Sequence, residues 1–337
     1  MKNSRETVYD IFTRKNVSGK AFWTGNPKPE ATLNCAKAWG IEPTNEAVYT
    51  YLNDDVRWIP ADGGYRHPEG RPAFDTSLGI RRETLSAPGC LADAETLADL
   101  DKYPWPDAKY CDFTHIYRKI ERFPDKMVLT GMWACFFHIV ADFLGMENYF
   151  IKMYENPMIV DAITERVVDF YVEANEKFFA GLGDRADAIF FGNDFGTQLD
   201  LFMSPELFRR FVLPSFKRII ATGKKYGKIV VLHSCGSIYR IIPDLIDSGV
   251  DVLHPIQARA TGMSADDLKQ YKNDLSFLGG IDAQGIMVNG TPEEIRREVF
   301  RVRDILGPGI VISPSHEAIL GNVPPENVLA LAKAAKE

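Results

Sequence analysis

The stretch Ile229-Val230-Val231-Leu232-His233-Ser234-Cys235-Gly236-Ser237 joins a short apolar run to two metal-binding side chains and a glycine. Such a run is typical of a strand that is buried on both faces, and the pattern of residues 238–247 predicts a helix after it. Residues i and i+2 of an extended chain point the same way, so His233 and Cys235 face one crevice. Gly236 allows a tight turn from the strand into the helix.

Histidine and cysteine at this spacing are half of a zinc site. Zinc binds imidazole nitrogen at about 2.0–2.1 Å and thiolate sulfur at about 2.3 Å, and a catalytic site has three protein ligands and one open position. We therefore interpret His233 and Cys235 as two of three zinc ligands. The alternative that these residues leave open is a buried cysteine beside a hydrogen-bonded core histidine.

Short apolar runs alternate with helical patterns on both sides of this stretch. Further strands are predicted at residues 21–23, 127–131, 188–191, 250–255, 275–282 and 310–313. Alternation of strand and helix indicates an α/β fold with a parallel sheet. No GxGxxG sequence follows an early strand, so we prefer a (β/α)8 TIM barrel to a doubly wound sheet.

The regular pattern covers about residues 116–337, whereas about residues 1–115 are irregular and rich in glycine, proline and aromatic residues. Irregular segments of this kind usually form loops and short strands on a scaffold. We expect a single barrel domain over residues 1–337, with an elaborated N-terminal region over the barrel mouth.

Polar side chains follow the predicted strands, at the same end of each strand. The residues between a strand and its helix are Asn193, Asp194, His233, Cys235, Gln257, Asp282 and His316. In a TIM barrel this edge carries the active site. The sequence therefore predicts that these side chains share one face of the molecule.

Composition narrows the class of protein. A net charge of -7 over 337 residues argues against a nucleic-acid surface, which needs clustered lysine and arginine. No apolar run reaches the roughly 18 residues of a membrane span, and the first residues lack an apolar signal core. The five cysteines are an odd number and widely spread, which fits a reducing compartment. We expect a cytoplasmic protein with no membrane partner.

Several segments together resemble the uroporphyrinogen decarboxylase superfamily, and within it the zinc-dependent corrinoid methyltransferase branch. The resemblance covers nearly the whole chain and is strongest over residues 192–328. The segments that carry it are Gly192-Asn193-Asp194-Phe195-Gly196-Thr197-Gln198, His233-Ser234-Cys235-Gly236, Asp251-Val252-Leu253-His254-Pro255-Ile256-Gln257, Gly279-Gly280-Ile281-Asp282 and Pro324-Pro325-Glu326-Asn327-Val328.

Two departures from the family pattern bear on the reaction. Porphyrinogen decarboxylases have an arginine-rich N-terminal loop, where this chain has Phe22-Trp23-Thr24-Gly25-Asn26-Pro27 without arginine. Thiol methyltransferases of the family typically end their zinc site with a second cysteine before the last helix. Here the segment is Ser313-Pro314-Ser315-His316-Glu317. The resemblance implies His316 as the third zinc ligand, with Glu317 as an alternative ligand and a substrate contact as the alternative role of His316.

One thiolate ligand leaves a zinc centre more positive than two thiolates do, and a more positive centre is the better Lewis acid. The resemblance then implies an O-demethylase: a methyl group moves from a methyl ether to the cobalt(I) of a corrinoid (cobalamin) on a partner protein, while zinc stabilises the departing oxygen. The alternatives are methyl transfer from the corrinoid to a thiol, a metal-free decarboxylase of a non-porphyrin acid, and a corrinoid-binding scaffold without activity. Homodimerisation is possible.

The resemblance also implies roles for the residues at the strand ends. Asp194 and Asp282 are candidates to orient the reacting oxygen or to protonate the leaving group, and capping a helix or bracing a loop is the alternative for each. Polar contacts with a small methylated substrate are expected from Asn193, Gln198, His254 and Gln257. Trp23 is a candidate wall of an apolar substrate pocket, although core packing is the commoner role of an aromatic residue.

Overall fold

The computed structural model describes residues 2–15, 20–78 and 83–337. Seven parallel strands form one sheet, and each strand pairs with the next along the chain. The strands are β1 (Val56–Pro60), β2 (Met127–Gly131), β3 (Ala188–Gly192), β4 (Ile229–His233), β5 (Val252–His254), β6 (Ser276–Ile281) and β7 (Ile310–Pro314). Strands β2 to β7 are buried at every position, as in sheets covered on both faces, whereas Trp58 and Pro60 of β1 are partly exposed.

Phe22 holds the eighth position of the barrel. It forms a parallel bridge with Ile312 of β7, and its carbonyl accepts a hydrogen bond of 3.0 Å from the N–H of Asp55, directly before β1. The first and last strands of the sheet are therefore joined through residues 21–23. The predicted α/β barrel is confirmed, with its eighth strand reduced to this single bridge.

Fifteen α-helices are assigned within the part of the chain that the structure describes. They are α1 (Ser4–Phe12), α2 (Pro29–Trp39), α3 (Asn45–Tyr51), α4 (Leu97–Leu100), α5 (Thr114–Ile120), α6 (Phe136–Leu144), α7 (Met146–Glu155), α8 (Pro157–Leu182), α9 (Pro205–Leu207), α10 (Leu213–Lys225), α11 (Ile242–Asp247), α12 (Ala265–Leu268), α13 (Ile286–Asn289), α14 (Pro292–Leu306) and α15 (Pro325–Lys336). A π-helical turn joins α9 to α10. None of the helices is both long and apolar enough to cross a membrane.

Two parts of the N-terminal region differ from the expected arrangement. The segment expected to be irregular contains α2, α3 and the strand β1. Helix α1 lies at the barrel end opposite the mouth, because Ser276 at the start of β6 donates to the carbonyls of Ile11 and Phe12. Residues 24–28 do reach the mouth, where Asn26 and Lys28 donate backbone hydrogen bonds to Glu317 and Ile319 after β7. The single-domain organisation stays a prediction.

Strand register brings the candidate site together. In the β3–β4 and β4–β5 pairings, His233 lies opposite Gly192 on one side and His254 on the other. Aromatic and aliphatic side chains fill the barrel below this level, among them Trp23, Phe190 and Val231. The carboxyl ends of the parallel strands therefore place His233 directly above a packed apolar interior.

Candidate metal centre at the barrel mouth

The turn after β4 holds His233 and Cys235 on the same side of the chain, as their spacing predicts. The Sγ atom of Cys235 lies 3.5 Å from Nε2 of His233. Gly236 has φ +84°, and a Cβ atom there would lie 2.2 Å from the carbonyl oxygen of Gly196. Because only glycine fits both the dihedral angle and the space, Gly236 fixes the course of the chain next to the thiol.

Asp194, after β3, completes a group of three possible metal ligands. Its Oδ1 accepts a hydrogen bond of 2.8 Å from the N–H of Cys235 and lies 3.3 Å from Nε2 of His233. One ligand atom each from Asp194, His233 and Cys235 lies within 4.8 Å of the others. The three strand-end residues therefore surround one point with oxygen, nitrogen and sulfur.

A second group shares the thiol of Cys235 and adds His316 and Glu317 from the segment after β7. Nδ1 of His316 accepts the N–H of Ala318 at 3.1 Å and lies 3.3 Å from Oε2 of Glu317. This Oε2 atom is buried and has no hydrogen-bond partner. The structure thus brings the segment after β7 to Cys235, as the sequence predicts. Within this segment it is Glu317, not His316, that has a buried atom without a hydrogen-bond partner.

The electrostatics of the two groups favour a cation. Burial and the carboxylates of Asp194 and Glu317 raise the pKa of the Cys235 thiol far above its usual value. Burial would also raise the pKa of Asp194, but the hydrogen bond and charge of His233 and the N–H of Cys235 outweigh it and lower that pKa to about 2. A buried thiol between two carboxylates lacks a partner for its ionised form, and a divalent cation supplies one. The residues therefore fit zinc.

His254 is not at the surface of the mouth. Its side chain is 0% exposed, and its ring lies 5.1 Å from that of Trp23 and 5.4 Å from that of Phe190 between centroids. Its Nδ1 is 2.9 Å from Nδ1 of His233. Burial and the neighbouring imidazoles of His233 and His316 lower the pKa of His254 well below its usual value. The side chain of Trp23 is likewise 1% exposed and belongs to the barrel interior.

The three amide residues expected at the mouth are tied to the loops. Asn193 is fully buried, accepts the N–H of Phe137 at 2.9 Å and donates to the carbonyl of Ala134 at 3.1 Å. Gln257 accepts the N–H of Gly236 at 2.7 Å and donates to Oε1 of the exposed Gln198 at 2.8 Å. Of these three side chains, only Gln198 is exposed to a ligand that enters from solvent.

Asp282 lies in the turn after β6, outside both groups of possible ligands. Its Oδ1 accepts the N–H of Gln284 at 2.9 Å, and its Oδ2 is 3.9 Å from Nε of Arg259. These contacts match the loop-bracing alternative. The catalytic role expected for Asp282 stays a prediction.

Two residues near the centre escaped the sequence analysis. His138, in the first turn of α6, accepts the N–H of Asp194 through Nε2 at 2.9 Å, and burial lowers its pKa. Asp62, after β1, accepts the N–H of Trp133 at 2.9 Å, and burial raises its pKa. The ring of Trp133 lies 5.4 Å from that of His233. Asp62 follows strand β1, which the sequence did not predict, and His138 lies within α6 rather than at a strand end.

The family model described as "Uroporphyrinogen decarboxylase (URO-D)" matches residues 76–337. The chain belongs to the uroporphyrinogen decarboxylase family. All five residues of the two ligand groups lie in the matched part. Trp23, Asp62 and the bridge at Phe22 lie before it.

Curated relatives in this family carry methyltransferase names. The chain is 27% identical over 223 residues to "Methylated-thiol--coenzyme M methyltransferase" of Methanosarcina mazei, which is 64% of this chain and 55% of that protein. It is 27% identical over 139 residues to "Methylcobamide:CoM methyltransferase MtaA" of Methanosarcina barkeri, which is 40% of this chain and 38% of that protein. The matches thus span about half, or less, of the length of these relatives.

A solved structure described as "methyltransferase from Methanosarcina mazei" has a similar fold. It superposes with a TM-score of 0.67 at 16% identity, over 99% of this chain and 98% of that one. The superposition covers nearly all of both chains. At this identity the likeness concerns the fold alone.

Proposed function

We propose that this chain is a zinc-dependent methyltransferase that moves a methyl group from a methyl ether to the cobalt(I) of a corrinoid carried by a partner protein. The convergence of Asp194, His233 and Cys235, with His316 and Glu317 on the other side of the same thiol, carries the proposal. Three relatives named methylcobamide:CoM methyltransferases support a corrinoid-coupled reaction.

The zinc ligands in this proposal are Nε2 of His233, Sγ of Cys235 and the carboxylate of Glu317, which lies within 4.8 Å of the shared thiol but in a different group of possible ligands from His233. Glu317 is preferred to His316, the ligand expected from sequence, because its buried Oε2 accepts no hydrogen bond. Nδ1 of His316 already accepts the N–H of Ala318, which in a neutral imidazole leaves the proton on Nε2. His316 then lies beside the site as a contact for the entering substrate.

The metal supplies Lewis acidity to the oxygen that leaves the methyl group, and the corrinoid of the partner supplies the nucleophile. The chain itself supplies position and charge. Because its pKa is about 2, Asp194 is ionised at neutral pH and is not the proton donor. Its carboxylate accepts a hydrogen bond from the N–H of Cys235 and lies 3.3 Å from Nε2 of His233, so it orients both ligands. Trp133, packed on His233, excludes water from that side.

The ligand types favour an oxygen leaving group. With Glu317 in place of His316, two anionic ligands neutralise the formal charge of zinc, so the centre is no more positive than one with two thiolates. The preference rests on ligand type instead: one thiolate, one imidazole and one carboxylate form a harder set than two thiolates, and hard centres prefer oxygen. Among the described residues, Cys235 is the sole cysteine in either group of possible ligands. This difference from the two-cysteine pattern is the reason to prefer methyl ethers over thiols.

Metal analysis tests the zinc site. The purified protein and the variants Cys235→Ala, Glu317→Gln and His316→Gln are loaded with zinc, dialysed and analysed for zinc per chain. We expect about one zinc in the wild type and in His316→Gln, and a large loss in the other two. Asp282→Asn is the matched control, because Asp282 is a strand-end aspartate outside both groups. A wild type that binds no zinc would move the metal-free decarboxylase to first place.

A second candidate is methyl transfer from a methylated corrinoid to a thiol, which the names of the relatives favour. Two assays separate the candidates: reduced corrinoid with aryl or alkyl methyl ethers, and methylcobalamin with thiol acceptors. The absorbance change of the corrinoid reports methyl transfer in both. Methylation of cobalt by ethers supports the proposal, whereas fast thiol methylation with inert ethers overturns the direction that we propose.

A further inference from the structure

The chain before α2 runs beside the chain that follows β7. The N–H of Asn26 donates to the carbonyl of Glu317 at 2.5 Å, and the N–H of Lys28 donates to the carbonyl of Ile319 at 2.9 Å. Donors and acceptors are both two residues apart, which is the period of an extended chain. Residues 24–28 therefore lie alongside the segment that carries a proposed zinc ligand.

Gly25 brings these two chains into direct contact. It has φ +81°, and a Cβ atom there would lie 2.7 Å from the carbonyl oxygen of Glu317 and 3.2 Å from its carbonyl carbon. Because glycine alone tolerates both this dihedral angle and this closeness, a side chain at position 25 would displace the backbone of Glu317.

Residues 24–28 are themselves fixed from the other side. The N–H of Thr24 donates to Oδ2 of Asp54 at 2.7 Å, and Asp54 is 0% exposed just before β1. Nδ2 of Asn45, the first residue of α3, donates to the carbonyl of Pro27 at 3.3 Å. The segment is thus anchored to the barrel wall and to α3, and it can hold the chain after β7 in place.

The carboxylate of Glu317 depends on its backbone for its position. Its Oε2 is buried and accepts no hydrogen bond, so no such bond directs this oxygen toward the thiol of Cys235. A contact of 2.7 Å would have to open to about 3.4 Å to become ordinary, which is a shift of about 0.7 Å. Binding sites tolerate displacements of only about 0.5 Å. A methyl group at Gly25 is therefore enough to misplace the carboxylate.

We propose that Gly25 is a positioning residue of the metal centre: it lets residues 24–28 approach so closely that the N–H of Asn26 fixes the backbone of Glu317, and with it the carboxylate beside Cys235. This inference rests on the zinc site proposed above, with Glu317 as a ligand. Gly25 itself touches neither the metal nor the substrate. It lies before residue 76, where the match to the family model begins.

A methyl group at position 25 tests the contact, and Gly40 provides the matched control. Gly40 also has a positive φ, +67°, but a Cβ atom there would meet no other part of the described chain within 4 Å. We expect Gly25→Ala to bind zinc about 10–100-fold more weakly than the wild type, and Gly40→Ala to bind it within about threefold of the wild type. Affinity is measured by competition with a chromophoric chelator, and thermal unfolding of each zinc-free variant controls for folding.

Combination with Glu317→Gln shows whether the effect passes through Glu317. In this background we expect Gly25→Ala to weaken zinc binding by less than about threefold, because the carboxylate that it displaces is no longer a ligand. A general loss of stability would lower the affinity by the same factor in both backgrounds. Asn45→Ala, which removes the anchor on Pro27 without a clash, is the second variant, and we expect its zinc affinity to be about two- to tenfold weaker.

Amide exchange reports the contact without metal. In the zinc-free protein we expect residues 315–319 to exchange hydrogen for deuterium faster in Gly25→Ala than in the wild type or Gly40→Ala. The inference is overturned if the variants at positions 25 and 45 that fold bind zinc as tightly as the wild type, or if Gly25→Ala loses affinity equally with and without Glu317→Gln. A wild type that binds no zinc refutes the zinc site itself; faster exchange in Gly25→Ala then still supports the contact, and unchanged exchange overturns it.

Discussion

The carboxylate of Asp194 accepts a hydrogen bond of 2.8 Å from the backbone N–H of Cys235, which joins the turn after β3 to the turn after β4. The same oxygen lies 3.3 Å from Nε2 of His233. One side chain therefore fixes both residues of the His-x-Cys pair. The arrangement predicts that Asp194 controls the geometry of the site even without being a zinc ligand.

Removal of Asp194 is expected to weaken zinc binding. Asp194→Ala loses the acceptor for Cys235 and the charge beside His233, and we expect about 10–100-fold weaker zinc affinity. Asp194→Asn keeps an acceptor oxygen, so its loss should be smaller. Competition with a chelator measures both, with Asp282→Asn as control. Equal affinity in Asp194→Ala and the wild type would contradict this role.

A methyl group at position 236 is expected to disrupt the centre. Both Gly236 and Gly227 have positive φ, at +84° and +66°, but only at Gly236 would a Cβ clash with backbone, 2.2 Å from Gly196. Gly227→Ala therefore measures the dihedral strain alone, about 1–2 kcal/mol. Gly236→Ala should cost clearly more in the free energy of unfolding and should also lose zinc. Urea unfolding and metal content check both, and similar effects of the two substitutions would refute the steric argument.

Zinc binding is expected to release a proton. In the metal-free chain the raised pKa of Cys235 keeps its thiol protonated at neutral pH, and zinc binds the thiolate. Zinc affinity should therefore increase with pH, by about tenfold per pH unit between pH 7 and 8.5. Titration calorimetry in buffers of different ionisation enthalpy counts the proton. Cys235→Ala should show no such proton, and a wild type that releases none would be evidence against a thiolate ligand.

Asp54 is expected to make stability depend on pH. This carboxyl is fully buried before β1, and burial raises its pKa from 3.8 to about 6 despite hydrogen bonds from Thr24 and Val56. The folded state holds this proton more tightly than the unfolded state. The resulting stability is fully present below about pH 3.8 and is lost as the pH rises through about 6.

Asp54→Asn should remove this dependence. The difference in unfolding free energy between variant and wild type should shift in favour of the variant by up to roughly 3 kcal/mol from pH 4 to pH 7. Urea unfolding at both values measures it. A difference that stays constant with pH would show that Asp54 titrates equally in both states.

The sequence predicted the parts of the fold in which pattern and burial agree. Strands such as β3 and β4 are continuous apolar runs, and proline and capping residues identify the starts of α8 and α14. Strand β1 was missed because it contains Arg57 and ends in Pro60. The buried charge of Arg57 is compensated by its ion pair with Glu46, by a hydrogen bond to the carbonyl of Val56, and by contacts with the rings of Tyr49 and Phe123. Such long-range compensation is invisible in a local pattern.

The site, like the fold, was predictable where a local pattern was sufficient and was missed where long-range contacts decide. The strand-end rule identified His233, Cys235 and Asp194, whose ligand atoms the structure brings together. It did not give the direction of each side chain: His254 also ends a strand, yet it points into the barrel toward Trp23. His138 was missed because it lies in a helix, seven residues beyond the end of β2, and reaches Asp194 only through the fold.

The central claim is that one zinc ion is bound through a single cysteine, and X-ray absorption at the zinc edge tests it most directly. For the wild type we predict one sulfur at about 2.3 Å and nitrogen or oxygen ligands at about 2.0–2.2 Å. The sulfur should vanish in Cys235→Ser, while Cys135→Ser, a cysteine outside both ligand groups, should leave it unchanged. A wild-type zinc shell without sulfur, or with sulfur that survives in Cys235→Ser, would contradict the account.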